Sequence, residues 1–265
     1  MFDQMCYKTD VGKIRPHNED AVKIYKNQHC SIIVVADGMG GHEAGEVASA
    51  MVLKTIEQYF NEDLTFDDSE ILRKWLKKIL HQVNQDILTY IEDHHISHGM
   101  GTTAIVTVMT KSFIAFAHIG DSRAYLLSHH QLRQITKDHT FVRKLVEEGK
   151  LSEQEAKNHP HRNIIMNALG VNKELKFDYL VLEHYQLDAI LLCTDGLTSM
   201  VDDQEILAIL SKQTSTEEKV NLLIEVANRN GGKDNISVAL CERLEGSDSL
   251  RLLEQRLIRA MTLRC

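Results

Sequence analysis

Two long stretches of the chain space their apolar residues at the intervals of an α-helix. They cover residues 42–60 and 69–96, and in the second stretch Leu72, Leu76 and Val83 recur four and seven positions apart. Apolar positions at this spacing form one face of a helix, which packs on a core. The sequence therefore predicts two long helices that are adjacent along the chain.

The apolar pattern changes to a strand period after residue 100. Four runs rich in β-branched and small residues, separated by short turns, predict an antiparallel meander over residues 102–108, 112–119, 123–127 and 131–135. Later runs predict, in chain order, a strand at 176–182, a strand at 188–193, a helix at 216–229, a strand at 235–241 and a helix at 248–263.

Residues 138–169 interrupt this pattern with short helical pieces that are more polar than their surroundings, as is typical of a surface insertion. The chain has only two prolines and no Gly/Ser-rich stretch, so no flexible linker is predicted. Strand pairs combined with helices that are adjacent in sequence indicate one layered α+β domain rather than a parallel βαβ fold.

Composition and charge exclude several classes of protein. The formal net charge of -8 argues against a general nucleic-acid binder, because affinity for a phosphate backbone needs clustered Lys and Arg. Five cysteines without a CxxC motif are typical of reduced cytosolic thiols. No basic leader is present, and no apolar run approaches the ~18 residues that span a bilayer. We therefore expect a cytoplasmic protein without membrane insertion.

Four acidic motifs stand next to short apolar runs. Three are Asp-Gly or Gly-Asp junctions and one is an Asp-Asn pair: Asp37-Gly38, Gly120-Asp121, Asp195-Gly196 and Asp234-Asn235. Any one of them alone could equally be an ordinary turn in a surface loop, where Asp, Asn and Gly are common. Together they place several carboxylates at strand ends, where mutual repulsion is relieved by a hard divalent cation. A metal site is therefore the first hypothesis.

The segment from Arg15 to Asp20 adds a cation and two carboxylates within six residues. The planar guanidinium of Arg15 matches phosphate oxygens, and Glu19 and Asp20 can hold metal-bound water. The alternative is a charged surface loop with an internal ion pair. For Asp121 the alternative is an exposed ion pair with Arg123 at a hairpin.

Six motifs in a fixed order carry a family resemblance: Arg15-x-x-Asn18-Glu19-Asp20, Val35-Ala36-Asp37-Gly38-Met39-Gly40-Gly41-His42, Gly99-Met100-Gly101-Thr102-Thr103, Gly120-Asp121-Ser122-Arg123, Thr194-Asp195-Gly196-Leu197 and Asp234-Asn235. The set spans roughly residues 5–241 and resembles the bacterial branch of the PP2C-type (PPM) metal-dependent protein Ser/Thr phosphatases. The resemblance implies an α+β fold, a four-layer α-β-β-α sandwich of two antiparallel sheets flanked by helix pairs.

The resemblance also implies a division of the chain. Residues 1–245 correspond to the phosphatase domain, with a mobile flap at about 138–169. Residues 246–265 lie beyond the region of resemblance, and the helix predicted at 248–263 makes them a C-terminal helical extension, for which packing on the body is the default expectation. A partner helix and a membrane surface are the alternatives for this extension.

The site implied by the resemblance is a binuclear Mn2+ or Mg2+ centre with a third, weaker metal. The implied ligands are all oxygen donors: Asp20, Asp37, Gly38, Asp121, Asp195 and Asp234. Asp37 bridges the two metals, Asp121 serves the third, and Glu19 lies in the shell outside the ligands. Arg15 binds the substrate phosphate, so Arg15 and Asp37 are the residues expected to carry the reaction.

The implied activity is hydrolysis of phosphoserine and phosphothreonine on proteins by attack of a metal-bridging hydroxide. The implied partners are phosphorylated proteins, including a eukaryotic-like Ser/Thr kinase that the enzyme opposes, and we expect a monomer. The alternative is a catalytically weak phosphoprotein-binding or regulatory pseudophosphatase. A metal-dependent nuclease is disfavoured by the acidic net charge. Met39 stands where animal-type relatives often carry a His, proposed as general acid, so that role is unassigned.

Overall fold

The β-strands of the protein form two antiparallel sheets. The computed structural model describes residues 2, 4–40, 44–96, 99–183 and 187–243. Within them the strands are β1 (Gln4–Asp10), β2 (Asp20–Lys26), β3 (Ser31–Met39), β4 (Gly101–Thr102), β5 (Ala104–Met109), β6 (Phe113–Ile119), β7 (Arg123–Ser128), β8 (Gln131–Gln134), β9 (Asp178–Glu183), β10 (Ala189–Cys193) and β11 (Ile236–Glu242). One sheet has the order β1-β11-β10-β7-β8. The other has the order β2-β3-β5-β6-β9, with β4 paired to β3.

Helices cover the outer faces of both sheets. The described helices are α1 (Ala44–Tyr59), α2 (Ser69–Asp93), α3 (Phe141–Glu147), α4 (Glu153–Lys157), α5 (Asp195–Thr198), α6 (Asp203–Leu210) and α7 (Thr216–Arg229). Apolar side chains of α1 and α2 pack on the sheet that contains β3. Those of α5, α6 and α7 pack on the sheet that contains β10. The predicted α-β-β-α sandwich is therefore confirmed.

The apolar run of β3 is continuous because both of its faces are buried. Ile32 and Val34 belong to the cluster beneath α1 and α2, whereas Ile33 and Val35 belong to the cluster between the two sheets. Alternate residues of a strand point to opposite faces, so a strand in a middle layer needs apolar residues at every position. Each of these four side chains contributes about 1.5–3 kcal/mol when fully buried.

Helix α2 shows how a long helix can be apolar on one side only. It begins after Asp68, whose carboxylate accepts hydrogen bonds from the amides of Glu70 and Ile71, as an N-cap residue does. Leu72 and Leu76 are buried on its inner face, whereas Ile71 is exposed. No helix within the described residues has the combination of length and apolar character that a bilayer crossing requires.

Several elements differ from the predictions. The predicted continuous meander over residues 102–135 is wrong, because β5 and β6 belong to one sheet and β7 and β8 to the other, so the chain crosses between the sheets after β6. The sequence did not predict β1, in which no residue is fully buried, or α5, which has only four residues. Neither element carries an apolar period long enough to be recognised. The predicted helix 248–263 and the extension 246–265 lie outside the described residues, and so does His42.

Residues 138–169, here called the flap, contain α3 and α4 and lie between β8 of the first sheet and β9 of the second sheet. Two opposite chain segments close the base of the flap through a β-bridge between Thr140 and Ile165. Ser152 and Glu155 form a capping box at the start of α4. The prediction of short helical pieces in this region is confirmed.

Candidate metal centre

Asp20 and Asp37 lie opposite each other in the β2–β3 pair. Residues directly opposite in an antiparallel pair place their side chains on the same face, so both carboxylates face the same side of the sheet. The sequence predicted that the strand would end before Asp37. Instead β3 continues to Met39, because its last two residues pair with β4.

Two threonines hold the backbone of Asp37. Its amide donates to Oγ1 of Thr103 at 2.9 Å, and its carbonyl accepts from the Thr103 amide at 2.9 Å and from the Thr102 hydroxyl at 3.0 Å. The Thr103 hydroxyl also shares a 2.8 Å hydrogen bond with Ser122, which follows Asp121. The motif around Thr103 therefore ties the chain segments that carry Asp37 and Asp121.

Gly38 lies in a cradle that has no room for a side chain. A Cβ atom at this position would collide with the carbonyl oxygen of Gly45 and would lie 2.5 Å from that of Glu19. The Gly38 amide donates to the same Glu19 carbonyl at 3.0 Å. The glycine thus brings β3, the start of α1 and the Arg15–Asp20 segment into direct contact.

The carboxylate of Asp20 joins the two sheets. The Thr194 hydroxyl donates to Oδ2 of Asp20 at 2.8 Å and accepts from the Ser237 amide at 2.9 Å. Asp195 follows Thr194 at the start of α5. Asp20, on β2 of one sheet, and Asp195, which follows β10 of the other sheet, therefore meet at the same end of the sandwich.

Arg15 contacts Asp234 rather than a neighbour in its own segment. One guanidinium nitrogen donates to Oδ2 of Asp234 at 2.8 Å, and the two side chains are 46% and 34% exposed. Asn235 stabilises this arrangement by accepting from the Glu19 amide at 2.8 Å and donating to the carbonyl of His17 at 2.9 Å. The alternative of an ion pair within the Arg15–Asp20 segment is therefore wrong, because Arg15 pairs with Asp234.

Asp121 is buried, with 7% exposure, and its Oδ1 atom has no hydrogen-bond partner. The adjacent Arg123 pairs with Asp138 at 2.7 Å instead, and its Nε also contacts both oxygens of that carboxylate. The alternative of an exposed Asp121–Arg123 pair is therefore wrong. Arg123 anchors the start of the flap and leaves Asp121 facing the cluster.

Burial and mutual repulsion raise the pKa values of the clustered aspartates. Burial, reinforced by Asp195 and Asp234, raises the pKa of Asp20 to about 7 although Thr194 and Ser237 donate to it. Burial and the negative charge of Asp195 raise the pKa of Asp121 to about 8. These shifts mean that an anionic cluster is unfavourable without positive charge.

The same causes act on the other members of the cluster. Burial and the carboxylate of Asp20 raise the pKa of Asp37 well above its ordinary value. Burial and Asp234 raise the pKa of Asp195 to about 6. Burial also raises the pKa of Glu19, opposed by Arg15.

The residues present fit a hard divalent cation. Within the described residues, Oδ1 of Asp20 and Oδ1 of Asp121 are buried oxygen atoms without a hydrogen-bond donor. A buried acceptor left without a partner is costly, and carboxylate and carbonyl oxygens are the ligands that Mg2+ and Mn2+ prefer. Metal binding would satisfy the oxygens and remove the repulsion.

Comparison with known proteins places this site in a family. A sequence profile described as Protein phosphatase 2C matches residues 15–230. The serine/threonine phosphatase stp of Listeria monocytogenes is 42% identical over 238 residues, which are 89% of this chain and 94% of the relative. The chain belongs to the protein phosphatase 2C family. Protein phosphatase PhpP of Streptococcus pneumoniae is 37% identical over 233 residues, 88% of this chain and 94% of its own length.

Solved structures of other 2C phosphatases have the same fold. The serine/threonine phosphatase Stp1 from Staphylococcus aureus superposes with a TM-score of 0.86 at 36% identity, covering 93% of this chain and 96% of that structure. The catalytic domain of the serine threonine protein phosphatase PstP, described as a complex with 2 manganese ions, gives a TM-score of 0.79 at 36% identity over 90% of this chain and 97% of that one. The predictions of a protein phosphatase and of metal dependence are confirmed.

Some residues that build this 2C phosphatase site were missed by sequence reasoning. Asn235 was noted only as part of a motif, yet its side chain fixes the Arg15–Asp20 segment. Thr103 and Thr194 position Asp37 and Asp20 through their hydroxyls. For Thr194 and Asn235 the available signal was a polar residue directly beside an acidic motif, and for Thr103 it was a threonine pair that precedes a buried strand.

Proposed function

We propose that this chain is a metal-dependent protein serine/threonine phosphatase that hydrolyses phosphoserine and phosphothreonine in proteins. The observation that carries the proposal is the cluster of aspartates, in which Asp20 and Asp121 are buried, beside the half-exposed guanidinium of Arg15. The cluster supplies oxygen ligands for cations, and Arg15 supplies donors for an anion. A phosphate ester is a substrate that uses both.

The proposed ligands are the oxygen donors of the cluster: Asp20, Asp37, Gly38, Asp121, Asp195 and Asp234. We infer two Mn2+ or Mg2+ ions and a weaker third one that involves Asp121. When bound, such ions lower the pKa of water so that hydroxide is available near neutral pH. Glu19 lies just outside the ligands, where Asn235 and Gly38 hold its backbone.

Arg15 is proposed to bind the phosphate group of the substrate. Its contact with Asp234 uses one terminal nitrogen. A guanidinium has five N–H donors in a planar fork, so the remaining donors can bind phosphate oxygens while this contact persists. Charge that develops on those oxygens during transfer is thereby stabilised. Met39 has no acidic proton, so the residue that follows Gly38 cannot act as the general acid.

The proposal extends to the substrates, the oligomeric state, the cellular location and the domain bounds of the enzyme. The substrates would include proteins phosphorylated by a eukaryotic-like Ser/Thr kinase, the partner that the family resemblance suggests, and the enzyme would act as a monomer. All four described cysteines are free thiols, in keeping with a reducing cytoplasm. Residues 1–245 would form the phosphatase domain, and residues 246–265 a helical extension.

The test is phosphate release from a phosphothreonine peptide by the wild type and by Asp37→Ala and Asp195→Ala. We expect activity that requires added Mn2+ or Mg2+, disappears with a chelator, and is absent from both variants. The matched control is Asp67→Ala, which changes an exposed aspartate. Tight binding of the peptide without hydrolysis by the metal-loaded wild type would support a pseudophosphatase. Full activity in either ligand variant would overturn the proposed centre.

A further inference from the structure

His139 makes a reciprocal pair of hydrogen bonds with Gly120. Its amide donates to the Gly120 carbonyl at 2.8 Å, and its ring nitrogen Nδ1 accepts from the Gly120 amide at 3.1 Å. Gly120 has a φ of 109°, and a Cβ atom there would collide with Thr103. The peptide that precedes Asp121 is therefore held by His139 on one side and by Thr103 on the other.

The same histidine also holds the far end of the flap. Its carbonyl accepts from the Met166 amide at 2.8 Å. The side-chain amide of Asn167 lies 3.3 Å from Nδ1 and donates to the carbonyl of Lys176 at 2.8 Å. His139 thus contacts the Asp121 loop and the returning segment of the flap at once.

These contacts determine the tautomer of His139. Two N–H groups, from Gly120 and Asn167, converge on Nδ1, so that atom must carry the lone pair. The proton then resides on Nε2, which donates to the Asp178 carboxylate at 3.2 Å. In keeping with this bond, His139 lowers the pKa of Asp178.

The tautomer argues against a metal at this place. The ligand atoms of His118, His139 and Asp178 lie within 4.8 Å of one another, and both ring nitrogens of the buried His118 have no hydrogen-bond partner. A cation on Nε2 of His139 would force the proton onto Nδ1, where it would face two N–H groups. The arrangement suits a hydrogen-bond anchor.

We propose that His139 is a positioning residue for the phosphatase reaction, which fixes both ends of the flap against the loop that carries Asp121. The inference rests on the proposed function, because Asp121 matters only if it faces the reaction centre. In this role the lone pair of Nδ1 accepts from the Gly120 amide and so orients the Gly120–Asp121 peptide. A side chain with a hydrogen-bond acceptor at the position of Nδ1 should preserve the site. A side chain without an acceptor there should disturb it.

Three variants separate these cases. His139→Asn places an acceptor where Nδ1 stands, His139→Gln places its polar group nearer to Nε2, and His139→Ala removes both. We expect kcat/KM for a phosphothreonine peptide to fall about 10- to 100-fold in His139→Gln and His139→Ala, the usual cost of losing a group that orients a metal ligand, and to be largely restored in His139→Asn. The matched control is His161→Ala, which changes an exposed flap histidine.

Two readouts do not depend on catalysis. Nitrogen NMR of the wild type should show an unprotonated Nδ1 and a protonated Nε2 at His139, unchanged when Zn2+ is added. Trypsin should cut the flap faster in His139→Gln and His139→Ala than in His139→Asn, without any substrate present.

The outcomes separate failure of this inference from failure of the proposed function. If wild-type protein lacks phosphatase activity, the proposed function fails, while the tautomer and the proteolysis still report on the anchor. Equal losses in His139→Asn and His139→Ala, or activity unchanged in all three variants, would overturn the positioning role. A protonated Nδ1 in the metal-free protein would overturn the tautomer. Loss of the Nε2 proton on adding Zn2+ would show that the ring binds a metal and would overturn the role as a hydrogen-bond anchor.

Discussion

Asp20 and Asp37 are direct cross-strand partners, and their carboxylates share one face of the β2–β3 pair. Two like charges in this relationship destabilise a sheet unless a cation lies between them or one carboxylate is protonated. A hydrogen bond from Asp37 only partly opposes the effects of burial and Asp234, which raise the pKa of Asp195 to about 6. The metal-free protein therefore carries an electrostatic penalty at its centre, which metal binding removes.

The first prediction is that Asp37→Asn makes the metal-free protein more stable and abolishes its activity. Asparagine keeps a donor for Asp195 but removes an acidic group whose pKa is raised well above its ordinary value. Thermal melts in chelator should show a higher midpoint for the variant. Added Mn2+ should raise the wild-type midpoint, with a gain of about 2.7 kcal/mol when the ion is at 100 times its Kd, and should raise that of the variant much less.

Asp67→Asn is the control for this prediction, because Asp67 is exposed. It should melt like the wild type with and without metal. A lower midpoint for metal-free Asp37→Asn would show that the carboxylate stabilises the apoprotein, contrary to the argument from repulsion.

A second prediction concerns Arg15, whose pair with Asp234 is partly exposed. Exposed ion pairs contribute at most about 1 kcal/mol, so Arg15→Ala should hardly change the melting temperature. Loss of charged hydrogen bonds to phosphate, at about 1.5–3 kcal/mol, should lower kcat/KM for a phosphopeptide about 10- to 100-fold. Arg15→Lys keeps the positive charge but loses the planar guanidinium, so its kcat/KM should lie between that of the wild type and that of Arg15→Ala.

Lys13→Ala is the matched control for Arg15, since it removes an exposed cation from the same loop. It should leave kcat/KM nearly unchanged. If Lys13→Ala lost as much activity as Arg15→Ala, the general positive charge of the loop, and not the guanidinium, would be what binds the substrate.

The ordered motifs were sufficient to predict the fold and the family. The helical stretches and the strand runs predict a layered α+β domain, and the resemblance to the family adds the sandwich of two sheets. The continuous apolar run from Ile32 to Val35 predicts a buried strand. The partnerships across the chain could not be predicted. Nothing in the sequence indicates that Arg15 would meet Asp234, or that His139 would hold Gly120, because these contacts depend on loops brought together by the two sheets.

A third prediction is that Gly38→Ala disrupts the centre for steric reasons. The added methyl group would collide with the Gly45 carbonyl, and overpacking of this kind costs about 1–3 kcal/mol. Relief requires α1 or the Glu19 backbone to move, so the Mn2+-induced rise in melting temperature should shrink. Gly149→Ala, where the added Cβ meets no atom within 4 Å, should keep the full response to Mn2+ despite the strain of its positive φ. A normal metal response in Gly38→Ala would contradict this account.

A fourth prediction excludes a cysteine nucleophile. Burial raises the pKa of Cys193 to about 12 and that of Cys30 to about 11, so both thiols remain protonated and unreactive in the folded protein. Iodoacetamide at about pH 8 should leave activity intact and these two residues unmodified by mass spectrometry. The same treatment in concentrated guanidinium should modify both. Loss of activity in parallel with alkylation of Cys193 would contradict the metal mechanism.

The last prediction concerns His118, which is 2% exposed. Burial, reinforced by His139 and opposed by Asp178 and Asp138, lowers its pKa from 6.5 to about 4. The unfolded chain therefore binds a proton before the folded protein does, so stability is full above about pH 6.5 and falls as the pH decreases toward 4, by on the order of 3 kcal/mol. His118→Asn cannot titrate, and its free energy of unfolding, measured with urea, should fall less steeply across this window. His81→Asn, at an exposed position of α2, should follow the wild type. Equal slopes in all three proteins would mean that His118 is already charged, or able to become charged, in the folded state.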